Sequence, residues 1–596
     1  MEGLPRGEYP RPSLRRPRWL CLNGPWEFEI DDDDVGLAAG WHTERPFTRR
    51  IIVPYPAEAE LSGIADRSAH GVVWYRRRFT LPAGFEGARV VLRIGACDRA
   101  TRAFVNGREV GAHRGGYAPI SLDVAHCLRA GENELVIRAE DRATWALPRG
   151  KQIVGAGSTG IDYDGVTGIW QSVWLEPLPQ ISIESVWTCY AAASRELAVH
   201  IDFGAARDVA LFDGEVEAVL LDGTREVARG NAPGFGRPEA RIVLRIADAR
   251  LWSPDDPHLY RLAVRLRSGG HVVDEADCDT GLREVSWRDG ALFLNAAPLY
   301  LRGVLDQGYF PGGWYAAASD ADLRRDIELV KAMGFNMVRK HQKAEDPRFL
   351  YWADRLGLLV WAEMPSGRDF TTALVGALTD EWPALVRRDR GHPSVVGWVP
   401  MNESWGVWQQ AARPEQRALV EALTSLTRAL DPSRPVLGND GWEWSTGDLR
   451  GIHSYAETGA ALARHVQEIL ADPNAEVLRS TELLGPRRGV LPGADPRGCP
   501  VVLTECGGIG YVGVDAAPPE RPLFVYGNLP ATPDEFEARL RDVAKGIATI
   551  PRLAGFVWTQ LTDVQQERNG LLDFERRPKL PLTTLREIFG AIGAAS

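Results

Sequence analysis

The stretch VVLTECGG, residues 501–508, is a short β-branched run that ends on a carboxylate at Glu505. After residue 285, apolar runs of this kind alternate with segments of helical periodicity, of which residues 533–550 are one example. Eight such runs predict β-strands: PLYLRGV (298–304), FNMVRK (335–340), GLLVWAE (357–363), VVGWVPMNE (395–403), PVLGND (435–440), LRGIHSY (449–455), VVLTE (501–505) and GFVWTQ (555–560). This alternation predicts a parallel (β/α)8 TIM barrel over residues 285–596.

The chain before the barrel has the pattern of two β-domains. Residues 1–180 contain short alternating runs such as GVVWYRRRFTLP (71–82), separated by Gly, Pro and Asp. Alternation at period two with regularly spaced turn residues predicts an antiparallel jelly-roll β-sandwich. Runs such as ELAVHIDF (196–203) continue this pattern and predict an immunoglobulin-like β-sandwich over residues 181–284.

The composition argues against several classes of partner. Lys plus Arg total 69 and Asp plus Glu total 80, so the formal net charge of −11 disfavours nucleic acid and anionic membranes as partners. The sequence shows no signal-peptide pattern and no run of about 18 apolar residues. The seven cysteines form no CxxC pair, which favours a reducing compartment. We therefore expect a cytoplasmic protein with no nucleic-acid or membrane partner.

Two of the acidic residues that end predicted barrel strands, Glu403 and Glu505, are placed to act as a pair. In a TIM barrel the active site lies at the carboxyl ends of the strands, because the βα loops converge there on one mouth. Glu403 and Glu505 end the fourth and seventh strands, which lie on roughly opposite sides of the ring. A single Glu at such a position is more often a loop cap or an ion-pair partner. The pair predicts glycoside hydrolysis, with retention at about 5–5.5 Å separation and inversion at about 6.5–9.5 Å.

These segments resemble glycoside hydrolase family 2, the group of β-galactosidases, β-glucuronidases and β-mannosidases. HPSVVGWVPMNESWG (392–406) is similar to the acid/base segment of the family, in which an Asn directly precedes the catalytic Glu, and VVLTECGG is similar to its nucleophile segment. Residues 334–365 are similar to its second-strand signature. LNGPWEF (22–28), FVNGREVGAHRGGYAPI (104–120) and GVTGIWQSVWLEP (165–177) resemble its N-terminal sugar-binding domain.

The resemblance implies roles for individual residues. Glu403 would be the acid/base and Glu505 the nucleophile of a retaining mechanism. The substrate-binding candidates, from the resemblance and from the strand ends, are Asp162, Arg339, His341, Trp361, Asn402, His453, Tyr455, Trp558 and Glu567. Among them, Asn402 would bind the sugar 2-hydroxyl, Arg339 would keep Glu505 ionised, and Trp558 would form the floor of the sugar subsite.

Three other residues of this list have positions that the resemblance implies or leaves open. Asp162 is implied to reach the barrel mouth from the first β-domain, and Tyr455 is implied to lie against Glu505. His341 departs from the family pattern, because the residues around it are Lys340 and Gln342 instead of the usual small residues and Tyr-Pro. A substrate contact and a core role therefore both stay open for His341.

The resemblance leaves open which sugar the protein would recognise. Glucuronidases of the family bind the substrate carboxylate through an Asn-x-Lys, where this chain has Glu567, Arg568 and Asn569. An acid at this position would repel an anionic sugar, and Arg568 is the one residue that points the other way. The favoured function is an exo-β-galactosidase. The alternatives are a β-mannosidase, an α-L-arabinopyranosidase or β-fucosidase, and a β-glucuronidase.

Two other classes of function compete with hydrolysis by paired glutamates. A non-catalytic carbohydrate-binding protein would not need both glutamates together with Asn402 and Arg339. A metal-dependent barrel hydrolase would carry His-x-His on the first strand, where this chain has YLRGVLDQG (300–308), and we assign no metal ligands. The resemblance implies no required cofactor. It leaves open a structural Mg or Ca ion and a homo-oligomer.

Overall fold

The computed structural model describes residues 3–593, apart from Glu44, Ala156 and the ranges 206–213, 235–237, 473–474, 479–485 and 514–520. The described chain forms two β-sandwiches followed by a barrel of parallel strands. The predicted fold class is thereby confirmed. Among the helices in these ranges, none is both long and apolar enough to cross a membrane.

The first β-domain packs two antiparallel sheets around one core. Its strands are β1 (Leu20–Cys21), β2 (Gly24–Ile30), β3 (Arg49–Val53), β4 (Val72–Thr80), β5 (Arg89–Ile94), β6 (Cys97–Asp98), β7 (Ala100–Val105), β8 (Arg108–Arg114), β9 (Ile120–Asp123), β10 (Glu132–Glu140), β11 (Gly168–Ile169) and β12 (Val173–Leu178). One sheet has the order β3-β2-β4-β10-β7-β8 and the other β1-β12-β5-β9, with β11 and β6 paired separately. Alternate residues such as Val73 and Tyr75 of β4 share the core with Leu92 and Ile94 of β5.

The second β-domain is a smaller sandwich. Its strands are β13 (Ile181–Ala191), β14 (Glu196–Ala205), β15 (Glu215–Asp222), β16 (Arg225–Pro233), β17 (Glu239–Arg245), β18 (Tyr260–Ser268) and β19 (His271–Thr280). The two sheets have the orders β13-β14-β17 and β16-β15-β18-β19. Leu197, Val199 and Ile201 of β14 share a buried core with Leu262 and Val264 of β18, as the period-two pattern predicts.

The barrel follows a short antiparallel sheet. That sheet contains β20 (Val285–Arg288), β21 (Ala291–Leu294) and β22 (Ala297–Leu299). The remaining strands are β23 (Leu301–Asp306), β24 (Met337–Lys340), β25 (Leu359–Glu363), β26 (Val395–Val399), β27 (Arg450–Ser454), β28 (Glu476–Leu478), β29 (Arg487–Arg488), β30 (Val501–Gly507) and β31 (Leu553–Thr559). Seven of these form a parallel sheet in the order β26-β25-β24-β23-β31-β30-β27, while β28 and β29 form a separate hairpin.

Helices surround the parallel sheet. They are α1 (Asp320–Ala332), α2 (Pro347–Leu356), α3 (Thr372–Asp389), α4 (Pro414–Leu430), α5 (Gly459–Ala471), α6 (Pro533–Ala548) and α7 (Leu582–Gly590). Their ends follow local signals in the sequence. Ser319 and Asp322 form a capping box at the start of α1, and α2 begins with the cap Asp346 and ends at Gly357 with φ 71°. The start of α1 and both ends of α2 therefore lie where local residues specify them.

The predicted fifth strand, residues 435–440, is not a regular strand. It is joined to the fourth strand by single bridges, Trp398 to Val436 and Asn402 to Asp440. Pro435 has no N–H to donate to a ladder, and Leu437 pairs in the antiparallel sense with Gly447. The chain therefore folds back on itself here, and the barrel ring is completed by an irregular segment.

The bottom of the barrel is a closed hydrophobic core. Leu292 and Leu294 of the short antiparallel sheet pack in one cluster with inward side chains of the barrel strands, including Leu301, Met337 and Val502. Inward residues of parallel strands stack in layers. The polar side chains at the opposite end of the strands therefore rest on a packed apolar floor.

A loop of the first β-domain crosses the barrel mouth. The backbone N–H groups of Arg149 and Gly150 both donate to the carbonyl of Ser366, at 3.0 Å each. Gln566 donates to the carbonyl of Gly160 at 2.8 Å. The loop over residues 149–166 is thereby fixed to barrel residues that are distant in sequence.

We predict that Gly150→Ala destabilises the docking of this loop. Gly150 has φ 60°, and a Cβ there would lie 2.1 Å from the carbonyl oxygen of Gln342. Gly160 has φ 56°, and a Cβ there would have no atom of the described chain within 4 Å, so Gly160→Ala carries only the conformational cost. We expect Gly150→Ala to lower the free energy of unfolding by about 1–3 kcal/mol more than Gly160→Ala, measured in denaturant. Equal losses would show that the backbone moves to relieve the contact between the new Cβ and the Gln342 carbonyl oxygen without additional cost.

Candidate active site

The two predicted catalytic carboxyl groups lie together at the carboxyl end of the barrel. Glu505 belongs to β30, and Glu403 lies in the loop that follows β26. One carboxylate oxygen of each glutamate and a ring nitrogen of His453 all lie within 4.8 Å of one another. This separation suits a retaining hydrolase, because inversion needs a gap of about 6.5–9.5 Å to admit water.

Glu403 is held in a tight turn. Its φ is 52° and that of Ser404 is 57°, a left-handed conformation that costs non-glycine residues about 1–2 kcal/mol each. The Glu403 N–H donates to the Asp440 carbonyl at 3.0 Å, and the Ser404 N–H donates to Asn439 Oδ1 at 3.0 Å. Ser404 Oγ also donates to Glu443 at 2.6 Å. These contacts offset the conformational cost and fix the direction of the Glu403 side chain.

Arg339 is the buried centre of the site. Its guanidinium donates to Glu363 Oε2 at 2.7 Å and to Asn402 Oδ1 at 2.8 Å, and it contacts Asp440. It lies 3.4 Å from Glu505 Oε1. One cation therefore joins side chains from the second, third, fourth and seventh strands and from the irregular fifth segment.

The two acids that share Arg339 have opposite pKa shifts. Burial raises the pKa of Glu363 to about 7, despite the nearby guanidinium. Burial also acts to raise the pKa of Asp440, but Arg339 and His453 outweigh it and bring that pKa down to about 2. Asp440 is therefore a fixed anion next to Arg339 and His453. Glu363 holds Arg339 in place and titrates near neutrality.

His341 and Asn402 form a neutral contact beside Glu505. His341 Nδ1 lies 2.9 Å from Gln307 Oε1, and its Nε2 lies 3.2 Å from Asn402 Nδ2. Because Gln307 Oε1 only accepts, Nδ1 carries the hydrogen and Nε2 accepts from Asn402. Burial, followed by the positive charge of Arg339, places the pKa of His341 well below its usual value. His341 is thus a neutral ring in the mouth.

His453 is the second cation of the site. Nδ1 lies 2.8 Å from Glu403 Oε1, and Nε2 lies 3.1 Å from Asp440 Oδ2. Burial lowers the pKa of His453, but the carboxylates of Glu505 and Asp440 act more strongly together and raise it to about 10. The ring is therefore charged at neutral pH.

The pKa of Glu505 is raised, which differs from the expectation that Arg339 would keep it ionised. Burial is the largest cause, and the negative charge of Glu403 adds to it. His453 and Arg339 both act to lower the pKa, and the contribution of His453 exceeds that of Arg339. The sequence interpretation assigned the ionising role to one cation, whereas the structure shares it between two.

Tyr455 lies against Glu505. Its hydroxyl donates to Glu505 Oε2 at 2.6 Å and lies 3.1 Å from Thr559 Oγ1. The Tyr455 ring stacks on Tyr526, with ring centres 3.7 Å apart and planes at 9°. This contact fixes the carboxylate orientation from the side opposite Arg339, and it places Thr559 and Tyr526 at the mouth.

The first β-domain supplies part of the mouth. Asp162 Oδ1 accepts from Arg368 at 2.5 Å, and burial raises the pKa of Asp162. Lys151 donates to Glu567 Oε2 at 2.9 Å, and the Tyr163 hydroxyl donates to the same oxygen. Glu567 is therefore buried next to a cation from another domain, so its charge is balanced before any substrate enters.

The structure does not bring two predicted substrate contacts, Trp361 and Trp558, into the mouth. Trp361 is 1% exposed and lies in the apolar core inside the barrel, where its ring fills the space beside Gly397. Trp558 is 0% exposed and packs at 5.0 Å against Phe589 of α7, in the layer between strands and helices. Side chains alternate along a strand, so Thr559, one position later, faces the mouth instead.

Several residues of the site carry no role in the sequence analysis. They are Glu363, Asp440, Lys151, Arg368, Trp405 and Tyr526. Glu363 and Asp440 stand at the ends of predicted barrel strands, as Glu403 and Glu505 do. The rule that strand-end residues form the site could therefore have identified them. The others lie in loops without periodicity. The Arg368 guanidinium stacks 3.5 Å over the Trp405 ring, a contact between residues that no sequence pattern connects.

The glutamates and His453 are close enough to suggest a metal site. Mg2+ and Ca2+ prefer ligand sets made of oxygen atoms, and this trio includes an imidazole. The hydrogen between His453 Nδ1 and Glu403 also occupies the lone pair that a metal would need. The trio therefore suits proton transfer better than binding of a structural Mg or Ca ion. Whether such an ion binds elsewhere in the chain stays open.

Family models match the chain in the order of its domains. The sugar-binding domain of glycosyl hydrolases family 2 matches residues 20–179, the model described as glycosyl hydrolases family 2 matches residues 190–283, and the TIM barrel domain of that family matches residues 285–457. Glu403 lies inside the last match and Glu505 lies beyond it.

Similar proteins include enzymes of two specificities. A β-glucuronidase from Paenibacillus borealis is 25% identical, covering 98% of this chain and 99% of its own length. A β-galactosidase from Thermoanaerobacter pseudethanolicus is 25% identical over 70% of this chain, which spans only 53% of that enzyme. The structure of a β-glucuronidase from Ruminococcus gnavus in complex with D-glucuronic acid has a TM-score of 0.77 at 20% identity and covers 98% of this chain and 100% of its own. At this level of identity, the structural similarity shows a shared fold alone.

We predict strong coupling between Lys151 and Glu567. Removing one member leaves a buried charge without its partner, so Lys151→Met and Glu567→Gln should each lower the free energy of unfolding by about 3–5 kcal/mol. The double variant should lose less than the sum of the two single losses. Denaturant unfolding of the four proteins measures this coupling. Additive losses would mean that the pair makes no net contribution to docking the first β-domain.

Proposed function

Because the chain belongs to glycoside hydrolase family 2, we propose that it is a retaining exo-β-glycosidase that acts on neutral terminal sugars. The observation that carries this proposal is the approach of the Glu403 and Glu505 carboxyl groups within 4.8 Å at the barrel mouth. That spacing lets one group attack the anomeric carbon while the other reaches the glycosidic oxygen.

The proposed reaction has two displacements. In the first, a Glu505 oxygen bonds to the anomeric carbon, the bond to the aglycone oxygen breaks, and Glu403 gives its proton to that oxygen. In the second, Glu403 takes a proton from water, the water oxygen bonds to the anomeric carbon, and the bond to Glu505 breaks. Glu505 is fixed for attack by the hydroxyl of Tyr455 at 2.6 Å and by Arg339.

Asn402 is placed to bind the sugar 2-hydroxyl. Its Oδ1 accepts from Arg339, and one hydrogen of its Nδ2 points to His341 Nε2. An amide nitrogen carries two hydrogens, so the second stays available for a substrate oxygen. Because Arg339 and His341 fix the amide from both ends, this donor needs no reorganisation when substrate binds.

Charge pairing supports a neutral sugar. The cations of the mouth, Arg339, His453, Lys151 and Arg368, each contact at least one carboxyl group. Lys151 is matched to Glu567 and Arg368 to Asp162, so a uronate carboxylate would have to displace an existing partner. Of the neutral sugars, β-galactose is our first candidate, in line with the β-galactosidase among the relatives.

A β-glucuronidase is the second candidate. The relative that covers the chain over nearly its whole length has this name, and two cationic side chains, Lys151 and Arg368, lie at the mouth. In this alternative the substrate carboxylate would replace the present carboxyl partner of Lys151 or of Arg368. The mechanism at Glu403 and Glu505 is the same for both candidates.

Exo action is supported by the loop of the first β-domain. Residues 149–166 lie across one side of the mouth and contact the barrel through Asp162, which binds Arg368, and through Tyr163, which binds Glu567. A polysaccharide chain lying across the mouth would meet this loop. A terminal sugar enters from the remaining side.

We predict distinct products when either glutamate is removed. Glu505→Ala and Glu403→Ala should each lower kcat by about 10³-fold or more on an unactivated glycoside. Azide should then give an α-glycosyl azide with Glu505→Ala and a β-glycosyl azide with Glu403→Ala, because each variant leaves a different face of the sugar open. NMR of the products identifies the anomers. Exchanged products would exchange the two roles.

We predict that neutral sugars are preferred over glucuronides. A panel of 4-nitrophenyl glycosides, comprising β-galactoside, β-mannoside, β-fucoside, α-L-arabinopyranoside and β-glucuronide, should give kcat/KM about tenfold or more higher for at least one neutral sugar. The reason is the pairing of Lys151 with Glu567. If the glucuronide is turned over fastest, the specificity proposal is wrong while the retaining mechanism stands. Binding of glycans without turnover of any member would instead favour a carbohydrate-binding protein.

A further inference from the structure

His453 lies between the two catalytic carboxyl groups. Its Nδ1 is 2.8 Å from Glu403 Oε1 and 3.5 Å from Glu505 Oε2, and its Nε2 is 3.1 Å from Asp440 Oδ2. Asp440 is an anion, so Nε2 carries a hydrogen, and Nδ1 carries one when it faces the ionised nucleophile Glu505. With these two carboxylates as its partners, the ring is an imidazolium.

The ring has little freedom to turn away. A Cβ on Gly441 would lie 2.8 Å from the His453 ring, so the backbone itself packs against the imidazole. The edge of Trp442 lies against the same ring, with centres 5.6 Å apart. Gly441 has φ 90°, a conformation that strongly favours glycine. The charge is consequently held at one place relative to both glutamates.

His341 provides a natural contrast in the same mouth. It also approaches Glu505, with Nε2 3.6 Å from Oε1. Its other partners are the amides of Gln307 and Asn402, which suit a neutral ring with one hydrogen. Two histidines therefore flank the nucleophile, and only His453 brings a positive charge.

We propose that His453 is a cationic positioning residue that sets the lower end of the pH range over which the two glutamates work, an inference that rests on the proposed glycosidase function. The imidazolium favours the ionised form of each neighbouring carboxyl group. For the nucleophile this extends activity to lower pH. The acidic limb of the activity profile therefore lies at lower pH than it would without this charge.

Other charged or titratable groups surround His453, and each has a defined position. Asp440 of the irregular fifth segment lies at Nε2, and Arg339 of β24 lies beyond it. Tyr455, which directly follows β27, the strand of His453, donates to Oε2 of Glu505. His341 of the loop after β24 is neutral. The charge that lies between Glu403 and Glu505 is thus the imidazolium, whereas Arg339 contacts Glu505 Oε1 and Asn402 Oδ1.

The test is the pH profile of kcat/KM on an activated aryl glycoside that the wild type turns over. His453→Asn keeps a hydrogen-bond donor and removes the charge. The acidic limb of its bell-shaped profile, which reports ionisation of the nucleophile, should move to higher pH by about one unit or more. Below the acidic limb, this shift appears as about a tenfold loss of kcat/KM per unit relative to the wild type. An acidic limb that coincides with that of the wild type would overturn the proposal.

His341→Asn is the matched control. It removes a ring of the same size from the same mouth without removing a positive charge. We expect kcat/KM to fall while the acidic limb stays at the wild-type pH. If this variant shifts the acidic limb as far as His453→Asn, the shift reflects packing and the proposal fails. His453→Gln serves as the second charge-removing variant if His453→Asn does not fold, and it is expected to shift the acidic limb in the same direction.

Thermal unfolding gives a readout that does not need turnover. The pKa of His453 is about 10 in the folded protein and 6.5 is its usual value, so its charge stabilises the fold fully below about pH 6.5. That stabilisation is lost as pH rises through 10. The Tm difference between wild type and His453→Asn should therefore shrink from pH 6 to pH 10. A constant difference would overturn the cationic role, whereas absence of turnover by the wild type on every glycoside would overturn the proposed function alone.

Discussion

A buried positive charge at Arg339 is the interaction on which the site depends. Its guanidinium is 0% exposed and contacts Glu363, Asp440 and Asn402 within hydrogen-bond distance, with Glu505 at 3.4 Å. Burying an ion costs several kcal/mol unless charges and hydrogen bonds compensate it. Here the compensating groups come from different barrel strands, so the barrel must close for the charge to be satisfied. Closure of the barrel and assembly of the catalytic geometry are therefore one event.

The same logic joins the first β-domain to the barrel. Lys151 and Asp162 lie on one loop, and each meets an opposite charge on the barrel, Glu567 and Arg368. The loop is also tied by backbone hydrogen bonds at Gly150. A sugar-binding mouth built this way exists only when both domains are folded and docked. This explains in physical terms why a β-sandwich that contributes neither Glu403 nor Glu505 belongs to the functional unit.

The sequence predicted the parts of the structure that local rules control. Alternating runs located the β-domains, strand and helix periods located the barrel units, and the strand-end rule located Glu403 and Glu505. It did not determine side-chain direction. Trp558 and Trp361 lie on barrel strands as expected, but Trp558 points outward to α7 and Trp361 fills the core. A shift of one position along a strand reverses the face. Residue type and strand position alone do not determine that parity in a ring with register shifts.

By itself, the sequence determined the order of the domains, the run of strands and helices, and the presence of two acids at strand ends, because each of these depends on near neighbours in the chain. Tertiary structure alone decided the charge states. His341 and His453 have the same side chain, yet one is neutral among amides and the other is cationic among carboxylates. Those partners come from residues far apart in sequence. The electrostatic energy of a buried group is a property of the folded surroundings and not of the residue.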